Sequence, residues 1–310
     1  MREDYPKTVM ELERRFADDE ACREYLSALR WPEGFVCPGC GGRKAWQMTR
    51  GLLLCGACRR QVSVTAGTVF QDTHLPLAVW FRAIWHVTCQ KNGVSAAGLQ
   101  RALGVGSYKT VWAMLHKLRR AMVRPGRERL SGRVEVDETY WGAEETGAIG
   151  RKTERKALIL VAAQADGAAI GRVRLRRTKD LKRKSLHAFV QDMIEPGSTL
   201  ITDGLKEYTG LDGYVHEPRI QKRQPPGTHL LPRAHRTISL LKRWMLGTHQ
   251  GAIGHNHLDY YLDEFTFRFN FNRRTSASRG KLFYRLIQQA VQVDPAPYAT
   301  LIKPQHVGRG

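Results

Sequence analysis

The feature that most constrains the fold is a pair of C-x-x-C motifs separated by fourteen residues. The four cysteines are Cys37, Cys40, Cys55 and Cys58. Each motif lets two thiolates reach one ion from a tight turn, and the chain between them is long enough for a hairpin that brings the motifs together. Four thiolates complete the tetrahedral coordination of Zn2+ and leave no position open for a substrate. The spacing therefore predicts a structural zinc ribbon over about residues 31–70.

A pair of disulfides is the alternative interpretation of these four cysteines. Disulfides are typical of exported proteins, and the chain has no basic stretch and apolar segment after Met1 that would indicate an export signal. Metal binding is therefore favoured. Cys22 and Cys89 stand alone within helical patterns, and we expect both to be ordinary core residues.

The composition narrows the class of partner. The chain has 310 residues, with 50 Lys and Arg against 29 Asp and Glu, which gives a net charge of +21. The hydrophobic fraction of 42% excludes a disordered chain. No apolar run approaches the ~20 residues that a membrane span needs, so we expect no membrane partner. The positive charge predicts a polyanion, most often nucleic acid, but it does not separate an enzyme from a structural DNA- or RNA-binding protein.

The N-terminal part of the chain has helical patterns on both sides of the ribbon. Residues 1–30 predict a helical segment, and residues 71–126 predict a helical region with a helix-turn-helix. In the latter, Ser95 and Ser107 are candidate N-caps on either side of a glycine turn. The second helix would present its first residues to the bases of DNA, namely Tyr108, Lys109 and Thr110. The alternative is a plain helical hairpin whose basic residues face solvent.

The periodicity changes after residue 126. Residues 133–142 alternate like a strand, with Val134 and Val136 on one face and Glu135 and Asp137 on the other. Two more strands, a helix and a short strand ending at Asp203 follow, and then long helices. This order predicts an α/β domain of ribonuclease H-like arrangement, in which the two aspartates meet and hold Mg2+. A pair of such ions could activate a nucleophile and stabilise the leaving oxygen of a phosphodiester. The alternative for Asp203 is a turn-forming residue before glycine.

Five segments together carry a family resemblance. They are C-P-G-C…C-x-x-C…V-T-A-G-T-V-F in the ribbon, V-D-E-T-Y-W-G at 136–142, I-T-D-G-L-K-E-Y at 201–208, H-R-T-I-S-L-L-K-R-W-M-L-G-T-H-Q-G at 235–251 and Y-L-D-E-F-T-F-R-F-N at 261–270. The sequence resembles bacterial insertion-sequence transposases that have a zinc ribbon and a DDE-type, ribonuclease H-like catalytic domain. This resemblance implies a mixed five-stranded sheet with flanking helices over residues 127–292, followed by a tail at 293–310.

The resemblance also implies the catalytic residues. Asp137 and Asp203 correspond to the first two metal ligands, and His235 stands at the third acidic position, where members of the group carry Glu, Asn or His. This Asp-Asp-His set would hold Mg2+ or Mn2+. Lys242, two helical turns after His235, would contact a phosphate. The alternatives are a helix-start histidine that bonds the backbone, a solvated lysine, and Glu217 as third ligand.

The implied function is DNA transposition. The chain would bind the terminal inverted repeats of double-stranded DNA, cut them with divalent ions, and join the ends to target DNA. It would act as at least a dimer on DNA, in the cytoplasm and associated with the nucleoid. The backbone contacts would come from Arg172, Arg174, Arg176 and Arg243. The alternatives are a metal-dependent nuclease without joining activity and a non-catalytic zinc-ribbon protein that binds DNA.

Overall fold

A computed structural model describes residues 3–123, 126–142, 156–220, 225, 229–271 and 278–303. The helices, in chain order, are α1 (Val9–Arg15), α2 (Asp19–Arg30), α3 (Leu77–Cys89), α4 (Ala96–Leu103), α5 (Tyr108–Ala121), α6 (Arg183–Met193), α7 (Pro232–His249), α8 (Leu258–Phe271), α9 (Ser278–Ala290) and α10 (Tyr298–Leu301). The strands are β1 (Ala45–Gln47), β2 (Leu52–Cys55), β3 (Gln61–Ser63), β4 (Arg133–Trp141), β5 (Ala157–Asp166), β6 (Ala169–Thr178), β7 (Thr199–Thr202) and β8 (Val215–Pro218). Within these described ranges, no helix is both long and apolar enough to cross a membrane.

The chain forms two compact units. The first contains residues 1–124 and 271–302, and the second contains residues 125–270 and 303–310. The helices of the first unit surround an aromatic core in which the ring of Phe283 in α9 lies 5.7 Å from that of Phe81 in α3 and 6.0 Å from that of Phe16. The predicted catalytic domain of residues 127–292 therefore extends too far, because α9 buries its apolar side against α3 within the first unit.

The ribbon of the first unit is a small antiparallel sheet. Its strands lie in the order β1-β2-β3, and Trp46 pairs with Leu54 across the first two. A short apolar cluster that includes Cys37, Cys55 and Val62 forms its core. These strands lie within the range of about residues 31–70 that the cysteine spacing predicts for the ribbon.

The second unit is built on a mixed five-stranded sheet. The strand order is β6-β5-β4-β7-β8, with β4, β5 and β6 antiparallel and β7 and β8 parallel to β4. This is the ribonuclease H-like arrangement that the sequence predicted, and the prediction of the fold is confirmed. Strand β4 lies at the centre of the sheet, where it pairs with β5 over Val134–Trp141 and with β7 over Arg133–Glu135.

Helices cover both faces of this sheet. On one face, α6 packs Leu186, Phe189 and Val190 against Val134 and Val136. On the other face, α7 and α8 pack on the apolar residues of β5 and β6. Residues on β4 alternate between these faces, which places Glu135 and Asp137 on the side of α7. The fold therefore brings the carboxylates of β4 to the start of a helix from the distant C-terminal part of the chain.

Candidate active site

Asp137 lies in the middle of the central strand. It pairs with Val161 of β5, and its side chain is 12% exposed. The main-chain N–H of Glu138 donates to Asp137 Oδ1 over 2.9 Å. A carboxylate in a strand between two apolar layers is costly unless it is paired or binds a cation. This location makes Asp137 the best-fixed acidic group of the candidate site.

Asp203 follows the end of the neighbouring parallel strand. Glu135 of β4 pairs with Ile201 of β7, and β7 ends at Thr202, so the turn that holds Asp203 begins at the end of the strand next to β4. Asp203 Oδ1 accepts a hydrogen bond from Leu205 N over 3.1 Å. The turn also requires Gly204, which has a φ of +88° and whose added Cβ would lie 2.9 Å from Ile220. Asp203 is therefore a turn residue at the end of the strand that pairs with β4.

His235 reaches the same place from the first turn of α7. Its Nε2 lies 3.4 Å from Asp137 Oδ2, and its side chain is 50% exposed. Two neighbouring ligands with bonds of about 2.1 Å to one ion lie about 3 Å apart, so the separation suits a shared divalent cation. Within the described ranges, only the four cysteines bring three or more ligand atoms within 4.8 Å of one another, so the Asp137–Asp203–His235 set is more open.

Glu135 is a site residue for which the sequence had suggested no role. Its carboxylate is 1% exposed and accepts from the main-chain N–H groups of Arg233 (2.6 Å) and Ala234 (2.9 Å), which are in the first turn of α7. The Arg233 guanidinium also donates to it over 3.0 Å. A carboxylate that satisfies free N–H groups at a helix start fixes that end of the helix. Glu135 therefore ties the start of α7 to β4, one residue before His235. The one sequence feature that could have indicated a role for Glu135 was its position on the same face of β4 as Asp137.

The four cysteines form the second candidate centre. Cys37 Sγ lies 3.7 Å from Cys58 Sγ, and Cys40 Sγ lies 3.6 Å from Cys55 Sγ. Zn–S bonds of about 2.3 Å in a tetrahedron separate neighbouring sulfurs by about 3.8 Å, so the four atoms fit one Zn2+. The N–H of Cys58 lowers the pKa of the Cys55 thiol to about 6, and the N–H of Gly39 lowers the pKa of Cys37. Both shifts favour the thiolate form that binds zinc.

Two stretches of the chain match known families of transposase domains. Residues 129–270 match the family described as ISXO2-like transposase domain, and residues 17–61 match the family described as transposase zinc-ribbon domain. Both matched families are domains of transposases, in agreement with the resemblance that the sequence carries. The second match confirms the predicted zinc ribbon.

The chain is also similar to a protein from a transposable element. A protein of Halobacterium salinarum, described as an uncharacterized protein in transposable element ISH50, is 27% identical over 281 residues. The alignment covers 82% of this chain and 92% of the relative. No solved structure matches the chain.

The helix-turn-helix has the local geometry that the sequence predicts. Ser95 accepts from Gly98 N at the start of α4, and Ser107 accepts from Thr110 N at the start of α5. Gly104 ends α4 with a φ of +65°. The first three residues of α5, which are Tyr108, Lys109 and Thr110, are exposed. They remain candidates for contact with DNA.

The arginines of β6 are placed differently from the prediction. Arg174 is only 4% exposed, and its guanidinium donates to the main-chain oxygens of Val173 and Glu128. Burial lowers the pKa of Arg174 to about 10. Arg176 lies over the Phe189 ring and donates to Asp192 over 2.9 Å. The prediction of a DNA-binding face is wrong for these two residues, because α6 and the chain before β4 cover the side of β6 that was expected to face solvent.

The remaining site candidates lie on three elements. Arg172 is partly exposed and donates to Gln164 and to the carbonyl of Arg129. On α7, Lys242 is half-buried and Arg243 is exposed. Glu217, the alternative third ligand, accepts from both terminal nitrogens of Arg133, which lowers its pKa. This ion pair makes Glu217 a weaker candidate than His235.

Proposed function

We propose that this transposase binds the ends of an insertion sequence and uses divalent cations to cut the DNA and transfer the cut strand to a target. The observation that supports the proposal is the position of His235 Nε2 3.4 Å from Asp137 Oδ2 in a ribonuclease H-like sheet, with Asp203 in the turn directly after the strand that pairs with β4. Two carboxylates and an imidazole at one point suit a cation-dependent reaction on a phosphodiester.

The side chains have separate roles in this proposal. Asp137, Asp203 and His235 would hold Mg2+ or Mn2+, and the imidazole favours the softer Mn2+. Bound cations supply charge stabilisation and lower the pKa of a coordinated water. Lys242 would contact a phosphate beside the scissile bond, since it lies two helical turns from His235 on the same helix. Water would first displace the 3′-oxygen of the element end from its phosphate. The freed 3′-hydroxyl would then attack a phosphate of the target and displace the 3′-oxygen of the target strand, which leaves as a hydroxyl.

DNA binding is assigned to the exposed basic and polar residues. Tyr108, Lys109 and Thr110 would face the groove at the terminal repeat, while Arg172 and Arg243 would contact the backbone. The reaction needs two element ends at once, so at least a dimer would act on DNA. An enzyme with this substrate would work at the nucleoid in the cytoplasm.

The direct test is a cleavage assay on duplexes that carry the ends of the element, with Mg2+ or Mn2+. Asp137→Ala and Asp203→Ala should each lower cleavage by more than about a hundredfold while DNA binding is retained. Asp212→Ala, an exposed aspartate of the same unit, is the matched control and should cleave normally. Full activity of Asp203→Ala would refute the assignment, and near-normal turnover of His235→Ala would make His235 a structural residue.

Two alternatives give different products in the same assay. A nuclease without joining activity would release the cut ends but form no product joined to a target duplex. A non-catalytic DNA-binding protein would bind the end duplexes and leave them intact with either ion. Joined products that depend on Asp137 and Asp203 would exclude both.

A further inference from the structure

The two turns of the zinc ribbon have the same backbone geometry. In the first, Gly41 N donates to Cys37 O and Cys37 N donates to Gly42 O, each over 2.9 Å. In the second, Arg59 N donates to Cys55 O over 3.0 Å and Cys55 N donates to Arg60 O over 2.9 Å. The residue after the second cysteine is left-handed in both turns, with a φ of +73° at Gly41 and +60° at Arg59. Arg59 thus stands at the position of the second turn that corresponds to Gly41 in the first.

An arginine in this conformation is unusual. Glycine adopts a positive φ without a steric penalty, whereas other residues are strained there, and such strain is concentrated at functional sites. In the part of the chain that the structure describes, only Arg59, Asp72 and Gln250 are non-glycine residues with a positive φ. Glycine would satisfy the zinc turn at least as well, so the side chain of Arg59 requires another explanation.

The Arg59 side chain lies over an exposed tryptophan. Its guanidinium carbon is 5.5 Å from the centre of the Trp46 ring, and Trp46 is 54% exposed. The indole rests on the second zinc turn at Gly56, where an added Cβ would lie 3.4 Å from Trp46 and 3.3 Å from Lys44. Lys44 precedes Trp46 by two residues, so both lie on one face of β1. Lys44, Trp46, Gly56 and Arg59 form a continuous patch, which we name the Trp46 surface.

The charge around the Trp46 surface favours one kind of partner. Residues 31–70 contain five Lys and Arg but only one acidic residue, Glu33. Arg43, Lys44, Arg59 and Arg60 are all exposed. Across the described ranges, none of these four has an ion-pair partner. Clustered cations without acidic neighbours are the electrostatic footprint of a surface that contacts a nucleic-acid backbone.

We propose that the Trp46 surface is a contact site for the backbone of duplex DNA. Lys44 and Arg59 bind phosphates, and the Trp46 ring packs on the sugars between them while it holds the Arg59 guanidinium in place. The contact is independent of base sequence, because phosphates and sugars are the groups it meets. The inference rests on the proposed function in one respect, namely that the chain binds DNA at all.

The test compares two substitutions of Arg59 in the full-length, zinc-loaded protein. Arg59→Gly removes the guanidinium and relieves the positive φ, whereas Arg59→Ala removes the guanidinium and keeps the strain. Arg14→Ala, at an exposed position of α1 in the same unit, removes the same charge and is the control. The probe is a labelled duplex of mixed sequence, titrated between about 50 and 200 mM salt.

Both Arg59 variants should bind the duplex about three- to tenfold more weakly than Arg14→Ala, and the slope of log K against log salt should fall by about 0.9 for one lost phosphate contact. Arg59→Gly should melt at the same temperature as the wild type or higher, and above Arg59→Ala. Trp46→Ala should weaken binding of the same duplex in the same way. A loss of affinity in a variant that is at least as stable as the wild type separates DNA contact from a structural role.

Wild-type affinity and salt slope in Arg59→Gly would overturn the proposal while leaving the proposed function intact. Loss of a dimer on Trp46→Ala in the absence of DNA, with duplex binding by Arg59→Gly unchanged, would overturn it in favour of a protein interface. A wild-type protein that binds no duplex would instead refute the proposed function itself, and the Trp46 surface with it.

Discussion

The two candidate metal centres of this protein are built in opposite ways. In the ribbon, all four ligands come from two short turns, and the ligand atoms lie within 4.8 Å of one another. In the second unit, the candidate ligands come from β4, from the turn after β7 and from the start of α7. The first centre is fixed by local sequence and is closed to substrate. The second depends on strand register and on the Glu135 contact to α7, and it remains open on the side where His235 is half exposed.

The largest effect that this comparison predicts is the response of the ribbon to loss of a ligand. Cys55→Ser should lower the zinc content from one ion per chain to about none and unfold the ribbon, since a small zinc module depends on its metal for folding. The five-stranded sheet of the second unit should keep its protection from amide hydrogen exchange, because it belongs to a separate compact unit. Metal analysis and hydrogen exchange measure the two outcomes.

Cys89→Ser is the control for this experiment, since Cys89 lies in α3 outside the four-cysteine cluster. It should retain a full complement of zinc. The contrast between the two centres would fail if Cys55→Ser kept its zinc. It would also fail if removal of zinc by a chelator unfolded the five-stranded sheet of the second unit as readily as the ribbon.

The next effect concerns Glu135, whose carboxylate fixes the start of α7 beside the Asp137–Asp203–His235 site. Glu135→Ala should lower the free energy of unfolding of the second unit by about 3 kcal/mol, because it leaves two N–H groups of α7 and the Arg233 guanidinium without their buried acceptor. Glu135→Gln keeps one acceptor oxygen and should recover part of this loss. Denaturant unfolding measures both.

Glu195→Ala offers a matched control, since Glu195 is an exposed glutamate of the same unit. Its stability should equal that of the wild type. Cleavage by Glu135→Gln should fall even where the protein is folded, because the start of α7 positions His235. If Glu135→Ala were as stable and as active as Glu195→Ala, the anchoring role would be excluded.

The same contrast explains what sequence alone could predict. The clustering of Cys37, Cys40, Cys55 and Cys58 could be predicted from their spacing, since each turn acts over a few residues. The mixed five-stranded sheet could be predicted from strand periodicity together with the family resemblance. Both rest on patterns that a short stretch of chain carries by itself.

Predictions that depended on long-range packing were less successful. Alternation placed Arg174 and Arg176 on an open face, but α6 covers that face. The predicted domain end at residue 292 missed the packing of α9 on α3, because an amphipathic helix does not specify its partner. The sequence showed Glu135 only as an acidic residue on the same strand face as Asp137. Its role could not be predicted, because its hydrogen bond to α7 joins residues about one hundred positions apart.

The smallest effect tests whether Glu217 is a ligand of the catalytic cation in place of His235. The Arg133 guanidinium holds the pKa of Glu217 below its ordinary value, so the pair contributes stability above about pH 4.5, and the contribution is lost as the pH falls through the lowered pKa. Glu217→Gln should be slightly less stable than the wild type at neutral pH and indistinguishable from it in acid.

Cleavage by Glu217→Gln should stay close to that of the wild type at neutral pH, because Glu217 is engaged by Arg133. Thermal melting from pH 3 to 7 (about the range in which such a carboxylate titrates) and the end-duplex assay measure the two outcomes. Loss of cleavage as severe as in Asp203→Ala would make Glu217 a ligand after all.

The central claim is that Asp137 and Asp203 hold the cation that cuts DNA, and a change of ligand tests it most directly. Asp203→Cys replaces an oxygen ligand by a thiolate, which accepts Mn2+ far better than Mg2+. Cleavage of the end duplex by Asp203→Cys should be lost with Mg2+ and recovered in part with Mn2+, whereas Asp212→Cys should match the wild type with both ions. The same ratio of Mn2+ to Mg2+ activity in Asp203→Cys and the wild type, or no activity of Asp203→Cys with either ion, would contradict direct contact between Asp203 and the catalytic cation.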